Sequence, residues 1–339
     1  MVDRRRRALV LGFAGALVVF VGLFLVVGIG DVLDSLFAAD PPYVVATFAF
    51  GVCWLAAWSL MLRTVMGTLD IDLSAGNSFL LYAGSVFANN VTPFGQAGGE
   101  PIAALLVSKT TDARYESGLA GIATIDVCNV FPSVSLALVG VGYYGMTATI
   151  VDEVEVATAS ALAVVIGIVL AAPLVWRARE AIVDRVPRAI GALASRLSAG
   201  RVDGDALAAA LTERLEGFVE NLRLIAGDRR RLAVVFGLSL LGWLFQVVAL
   251  LAAFAAVGHT IPVAVACFAI PLANLAGMAP FPGGLGSIEA AYVALLFPTT
   301  GVPVATITAA VLVFRGAIYW SPIVIGGSAT AILGARSTA

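Results

Sequence analysis

Pro280-Phe281-Pro282-Gly283-Gly284-Leu285-Gly286-Ser287-Ile288-Glu289 interrupts one long apolar stretch of this chain. Asn89-Asn90-Val91-Thr92-Pro93-Phe94-Gly95-Gln96-Ala97-Gly98-Gly99-Glu100 interrupts another. Both breaks carry Pro-Phe, then a Gly-Gly pair, then a glutamate. Helix breakers at membrane depth expose backbone groups that lipid cannot satisfy, so they persist only where protein or a water-filled cavity covers them. Two related breaks, one in each half of a chain, point to a transporter-like site where the halves meet.

Composition places those breaks in a membrane. Of 339 residues, 60% are hydrophobic and 12% charged, and the mean hydropathy is +0.99. Soluble domains carry about a quarter charged residues. The net charge of -2 argues against nucleic-acid binding. Cys53, Cys128 and Cys267 all fall in apolar stretches without zinc-ligand spacing, and they read as small core residues. The lone histidine, His259, has no Ser or Cys partner that would make a hydrolase. No P-loop and no metal-ligand cluster stands in the chain. The sequence therefore predicts a protein that is not an enzyme, holds no metal and needs no cofactor.

A spanning helix needs about 20 mostly apolar residues. Full spans are expected at 8–29, 43–62, 117–142, 157–176, 232–257 and 303–333. The first has 22 residues, longer than a signal-peptide core of about 7–15, and reads as a retained helix. The broken stretches 78–108 and 262–297 yield pieces too short to cross comfortably, and each reads as a re-entrant helical hairpin. With the N-terminus in the cytoplasm, the inner segments hold 19 of the 20 Lys+Arg, eleven of them within 177–231. The outer loops hold Asp31, Asp34, Asp40, Asp152, Glu153 and Glu155 instead. This is the positive-inside pattern, and it puts both termini and 177–231 in the cytoplasm. The two hairpins then open from opposite sides, as in an inverted repeat. The expected fold is one all-α, multi-pass plasma-membrane domain over 1–339, with six full spans and two re-entrant hairpins.

Segment 177–231 carries two apolar stripes at helical spacing, Ile182, Val186, Ile190, Leu193, Leu197 and Leu207, Leu211, Leu215, Phe218, Leu222, Ile225. Two readings fit: helices lying on an anionic membrane surface, or a hairpin packed on itself.

Ionisable groups inside a bilayer are expensive and mark pathways. Arg315 stands twelve residues into its apolar run. Its planar fork suits a phosphate or other anion; alternatively it pairs with Glu289, Glu100 or Asp126 and fixes packing. Glu100 and Glu289 are each expected to open a half-helix, about 101–108 and 288–297, and to cap it. The N–H groups of Gly98, Gly99, Gly284 and Gly286 would then face a cavity and receive an anionic head group. The glutamates would act as counter-charges or bind a coupling proton. Asn90 and Asn274 are expected to satisfy loose backbone carbonyls.

Pro280 through Glu289 resembles the Pro-x-Pro-Gly-Gly-x-Gly-x-x-Glu signature of the YbhN-like, flippase-like membrane proteins, relatives of the transmembrane region of lysylphosphatidylglycerol synthases. Asn90-Val91-Thr92-Pro93, followed by Gly98-Gly99-Glu100-Pro101, resembles that family's other signature, and Arg315 fits its last helix. The family often has an arginine shortly after Gly-Gly-Glu-Pro. This chain has Ile102, Ala103 and Ala104 there, so no head-group contact carries over to that place. No stretch between spans exceeds 55 residues, too short for the synthases' aminoacyl-transferase domain. The resemblance thus implies movement of an anionic lipid or lipid-linked sugar between leaflets. Two rival readings stand beside it: a scaffold or regulator of a separate lipid- or glycan-modifying enzyme, and a membrane-embedded transferase using Glu100 or Asp126 as base. The implied partners are membrane lipids with anionic head groups, and either a second copy of the chain or such an enzyme.

Overall fold

The computed structural model describes residues 27–92, 96–111, 113–147, 177–197, 203–279 and 281–336, with isolated positions between 15 and 22 and at 167 and 174. The described elements are helical. They are α1 (Ile29–Phe37), α2 (Pro41–Thr68), α3 (Ala75–Val91), α4 (Gln96–Thr111), α5 (Tyr115–Thr147), α6 (Arg179–Leu197), α7 (Gly204–Gly227) and α8 (Arg229–Ala256). Then follow α9 (Val263–Leu275), α10 (Ser287–Thr300), α11 (Val304–Arg315) and α12 (Ser321–Arg336). A π turn, Gly316–Trp320, joins the last two.

Among the described residues four helical segments are long and apolar enough to cross a membrane: Pro41–Thr68, Tyr115–Thr147, Arg229–Ala256 and Val304–Thr330. They match four of the six expected spans. The stretches expected at 8–29 and 157–176 lie mostly outside the described residues, and Arg4 to Arg7 lie outside them altogether.

Helices α2 and α8 form the central antiparallel pair. At one end the Asp40 N–H donates to the Ala256 carbonyl, 2.8 Å. Midway the Trp58 indole donates to the Ser239 carbonyl, 3.2 Å, and at the other end Arg231 donates to the Gly67 carbonyl. Gly242 allows this approach, because a Cβ there would lie 2.0 Å from the Trp58 indole nitrogen. Edge-on contacts of Trp58 with Trp54, Trp243 and Tyr82 add shape-specific packing. Between membrane helices small residues and tight packing replace the hydrophobic drive. The same device joins α3 to α12, where a Cβ on Gly326 would lie 2.1 Å from the Ala83 carbonyl oxygen.

The broken stretches fold as two pairs of short helices, α3 with α4 and α9 with α10, each pair in contact. Their members have 17, 16, 13 and 14 residues. At 1.5 Å per residue they reach about 20–26 Å, less than the ~30 Å hydrocarbon thickness.

The second break is fully described from Phe281. Gly283, Gly284 and Gly286 have φ of 54°, 66° and 82°, the left-handed region that a Cβ disfavours. The Ser287 hydroxyl donates to the carbonyls of Ala276 (2.8 Å) and Gly284 (3.0 Å), closing the turn.

One expectation changes. Cys128 and Cys267 are buried, but Cys53 is exposed on α2, because its position faces outward from the α2–α8 seam. Helices α6 and α7 pack on each other and α7 on α5, as the hairpin reading of 177–231 expects. Val186, Ile190 and Leu193 nevertheless remain exposed on α6, so its apolar stripe is not consumed by that packing.

Candidate functional site

The two breaks meet. The Tyr319 hydroxyl donates to the Asn90 carbonyl, 3.1 Å, and the Asn90 amide donates back to the Tyr319 carbonyl, 3.3 Å. Gly283 sits against both: a Cβ there would lie 2.4 Å from the Tyr319 ring and 2.9 Å from the Asn90 carbonyl oxygen. One tyrosine from the last span therefore ties the end of α3 to the turn before α10. Asn90 bonds a backbone carbonyl, as its position suggested.

Arg315 lies beside this junction, at the last turn of α11, and is 5% exposed. Its Nε donates to Glu289 Oε1 at 2.7 Å, and its Nη2 donates to the Gly283 carbonyl at 3.3 Å. The Tyr319 ring lies 4.5 Å from the guanidinium carbon, in cation–π range. The other Glu289 oxygen accepts the Gly286 N–H at 2.7 Å. The Glu289 carboxylate thus bridges a guanidinium and the first N–H of a helix, a charge-assisted pair of bonds in a dry setting.

Of the carboxylates weighed for Arg315, the structure selects Glu289. Asp126 interacts elsewhere: its carboxyl lies close enough to that of Glu100 for the two to perturb each other, with Tyr82 within electrostatic reach of Asp126. Two carboxyls in contact repel unless a proton or a cation lies between them.

Other expectations need correction. Glu100 does not open its half-helix. That helix starts at Gln96, so Gly98, Gly99 and Glu100 are its third to fifth residues. Gln96 and Ala97 are good helix formers, and they carry the helix back through the glycines. Gly99 serves contact instead, since a Cβ on it would meet the Asn89 backbone nitrogen at 2.5 Å. Nor are the N–H groups of the second break free: Gly286 donates to Glu289 and Gly284 to the Phe281 carbonyl at 3.0 Å. Pro280 and Pro93 to Gly95 lie outside the described residues.

Two site residues escaped the sequence reading, Tyr319 and Tyr292. Tyr292 is fully buried, its ring edge-on to Phe314 at 5.7 Å, and its hydroxyl has no hydrogen-bond partner among the described residues. A signal existed. Tyr319 follows Arg315 by four residues and Tyr292 follows Glu289 by three, the spacings at which helical side chains meet.

Among the described residues no group of three His, Cys, Asp or Glu is placed to hold a metal ion.

Comparison with known proteins places this arrangement. The model of the family described as "Lysylphosphatidylglycerol synthase TM region" matches residues 9–326. A UPF0104 membrane protein of Methanothermobacter thermautotrophicus is 28% identical over 99% of this chain and 96% of its own length. A second from that organism is 26% identical over 94% of this chain and 96% of its own. The glycosyltransferase AglD of Haloferax volcanii is 29% identical over 91% of this chain but only 52% of its own length. The chain belongs to the lysylphosphatidylglycerol synthase TM region family and is a multi-pass membrane protein.

Proposed function

We propose that this member of the family translocates a lipid with an anionic head group between the leaflets of the plasma membrane. The observation that carries the reading is the buried Arg315 at the junction of the two breaks. A guanidinium held in a membrane interior is costly without a functional return, and its fork matches a phosphodiester. In this reading the paired short helices are re-entrant hairpins of opposite orientation. The head group passes between them while the acyl tails stay in lipid. Both termini and segment 177–231 face the cytoplasm, consistent with their arginines. The protein performs no covalent chemistry.

The relative named a glycosyltransferase favours a specific cargo, a lipid-linked sugar. This chain matches only about half of that protein, so the glycosyltransferase named there need not act through the shared half.

The test is reconstitution into vesicles containing labelled phosphatidylglycerol or a labelled lipid-linked sugar, scoring exchange between leaflets. Wild type accelerates exchange; Arg315→Lys, which keeps charge but loses the fork, abolishes most of it. Undiminished exchange in a folded Arg315→Met variant refutes the role given to this residue. Orientation is tested by Arg188→Cys on α6 in a background without native cysteines; labelling from outside intact cells overturns it.

A further inference from the structure

We propose that Glu289 is the resident ligand of an oxyanion site, that a phosphate-bearing head group binds only by displacing it, and that Tyr292 receives the displaced carboxylate. The inference rests on reading this junction as a head-group site, and it adds what keeps that site closed.

The geometry is that of an occupied anion site. Both Glu289 oxygens are engaged, one at 2.7 Å from the Arg315 Nε and one at 2.7 Å from the Gly286 N–H. A guanidinium and the N-terminal N–H of a 14-residue helix are the donors a phosphate would use. A carboxylate of the chain itself holds them, with the two side chains only 6% and 3% exposed. A second anion beside Glu289 would leave a net negative charge in a buried site, so a phosphodiester competes with Glu289 for Arg315 and the Gly286 N–H.

Tyr292 supplies the second, independent observation. A buried hydroxyl without a partner is costly, and such groups in native folds call for an explanation. This one is 0% exposed, sits one turn along α10 from Glu289, and lies within electrostatic reach of both Glu289 and Arg315. It is a donor kept in reserve beside a carboxylate whose present donors are the ones a ligand would take. Rotation of the Glu289 side chain toward Tyr292 would fill that need as the ligand enters. Tyr292 is therefore a positioning residue that acts through Glu289.

The experiment uses the full chain in detergent, with inorganic phosphate and a short-chain phosphatidylglycerol as probes, read by calorimetry and thermal unfolding. Glu289→Ala should melt lower than wild type, and both probes should raise its melting temperature by more than they raise that of wild type. Glu289→Gln, which keeps side-chain volume, should bind the lipid probe about tenfold tighter than wild type or better, an equivalent of about 1.4 kcal/mol. The double variant Glu289→Ala/Arg315→Met should respond to neither. Tyr292→Phe should weaken lipid binding in wild type but not in Glu289→Ala; a merely structural tyrosine would weaken both. Response to phosphate alone overturns the head-group assignment, and response to neither probe in Glu289→Ala or Glu289→Gln overturns the site. Equal weakening by Tyr292→Phe in both backgrounds removes the tyrosine's role. Binding without leaflet exchange in vesicles would sink translocation and leave this inference standing.

Discussion

Glu100 and Glu289 each follow a Gly-Gly pair at a break, yet they end in opposite electrostatic settings. Glu289 sits three residues past Gly286, where α10 begins, and faces a cation. Glu100 sits five residues into α4 and faces another carboxyl. The difference lies in where each helix starts. At the second break three left-handed glycines hold the chain out of the helix until Ser287. At the first, helix resumes at Gln96 and the glycines become a contact surface, Gly99 against Asn89. One break is closed by charge, the other by shape. A motif spelled alike at two places therefore does not carry one role to both.

The largest effect should come from the break closed by charge. Glu289→Ala strands a buried guanidinium and should lower stability by about 3–5 kcal/mol. Adding Arg315→Met should recover most of it, as chemical or thermal denaturation in detergent would show. No recovery would mean that the pair is not what holds the second break. Next comes the break closed by shape. Gly99→Ala pushes a methyl into the Asn89 backbone and should cost about 1–3 kcal/mol by overpacking. An unchanged melting temperature there would erase the contrast. The link between the two is weaker. Tyr319→Phe removes one hydroxyl bond to Asn90 but keeps the ring over Arg315, so about 0.5–1.5 kcal/mol is expected. The carboxyl pair should behave with the other sign. Asp126→Asn lets an amide donate to Glu100 without a second acid, and the melting temperature should hold or rise. Smallest of all, Arg188→Ala breaks an exposed pair with Asp184, 3.4 Å apart, and should shift stability by no more than about 0.5 kcal/mol.

Four spans and both break positions were legible in the sequence, because long apolar runs and Pro-Gly clusters are local signals. So was the need of Arg315 for a partner. Which partner was not, since Glu289, Glu100 and Asp126 all qualify by chemistry and only the packing of α10 against α11 decides among them. The start of α4 was also hidden. Glycines usually mark a boundary, and here tertiary contact overrides that preference. The self-packing of α6 and α7 was one of two open readings for the same reason: their stripes fit a membrane surface as well as each other.

The π turn at Gly316–Trp320 separates Arg315 from the rest of its span and gives the chain length a meaning there. A π turn closes over five residues where an α turn closes over four, so it holds one residue that an ordinary helix would not need. Deleting Ala317 would let the segment relax into a regular α-helix, with four residues covering the rotation that five cover now. Everything beyond it would then keep its phase relative to α11, and Tyr319 would stay on the side of the guanidinium and Asn90. The π turn thus takes up one residue without turning the far part of the last span away from the junction.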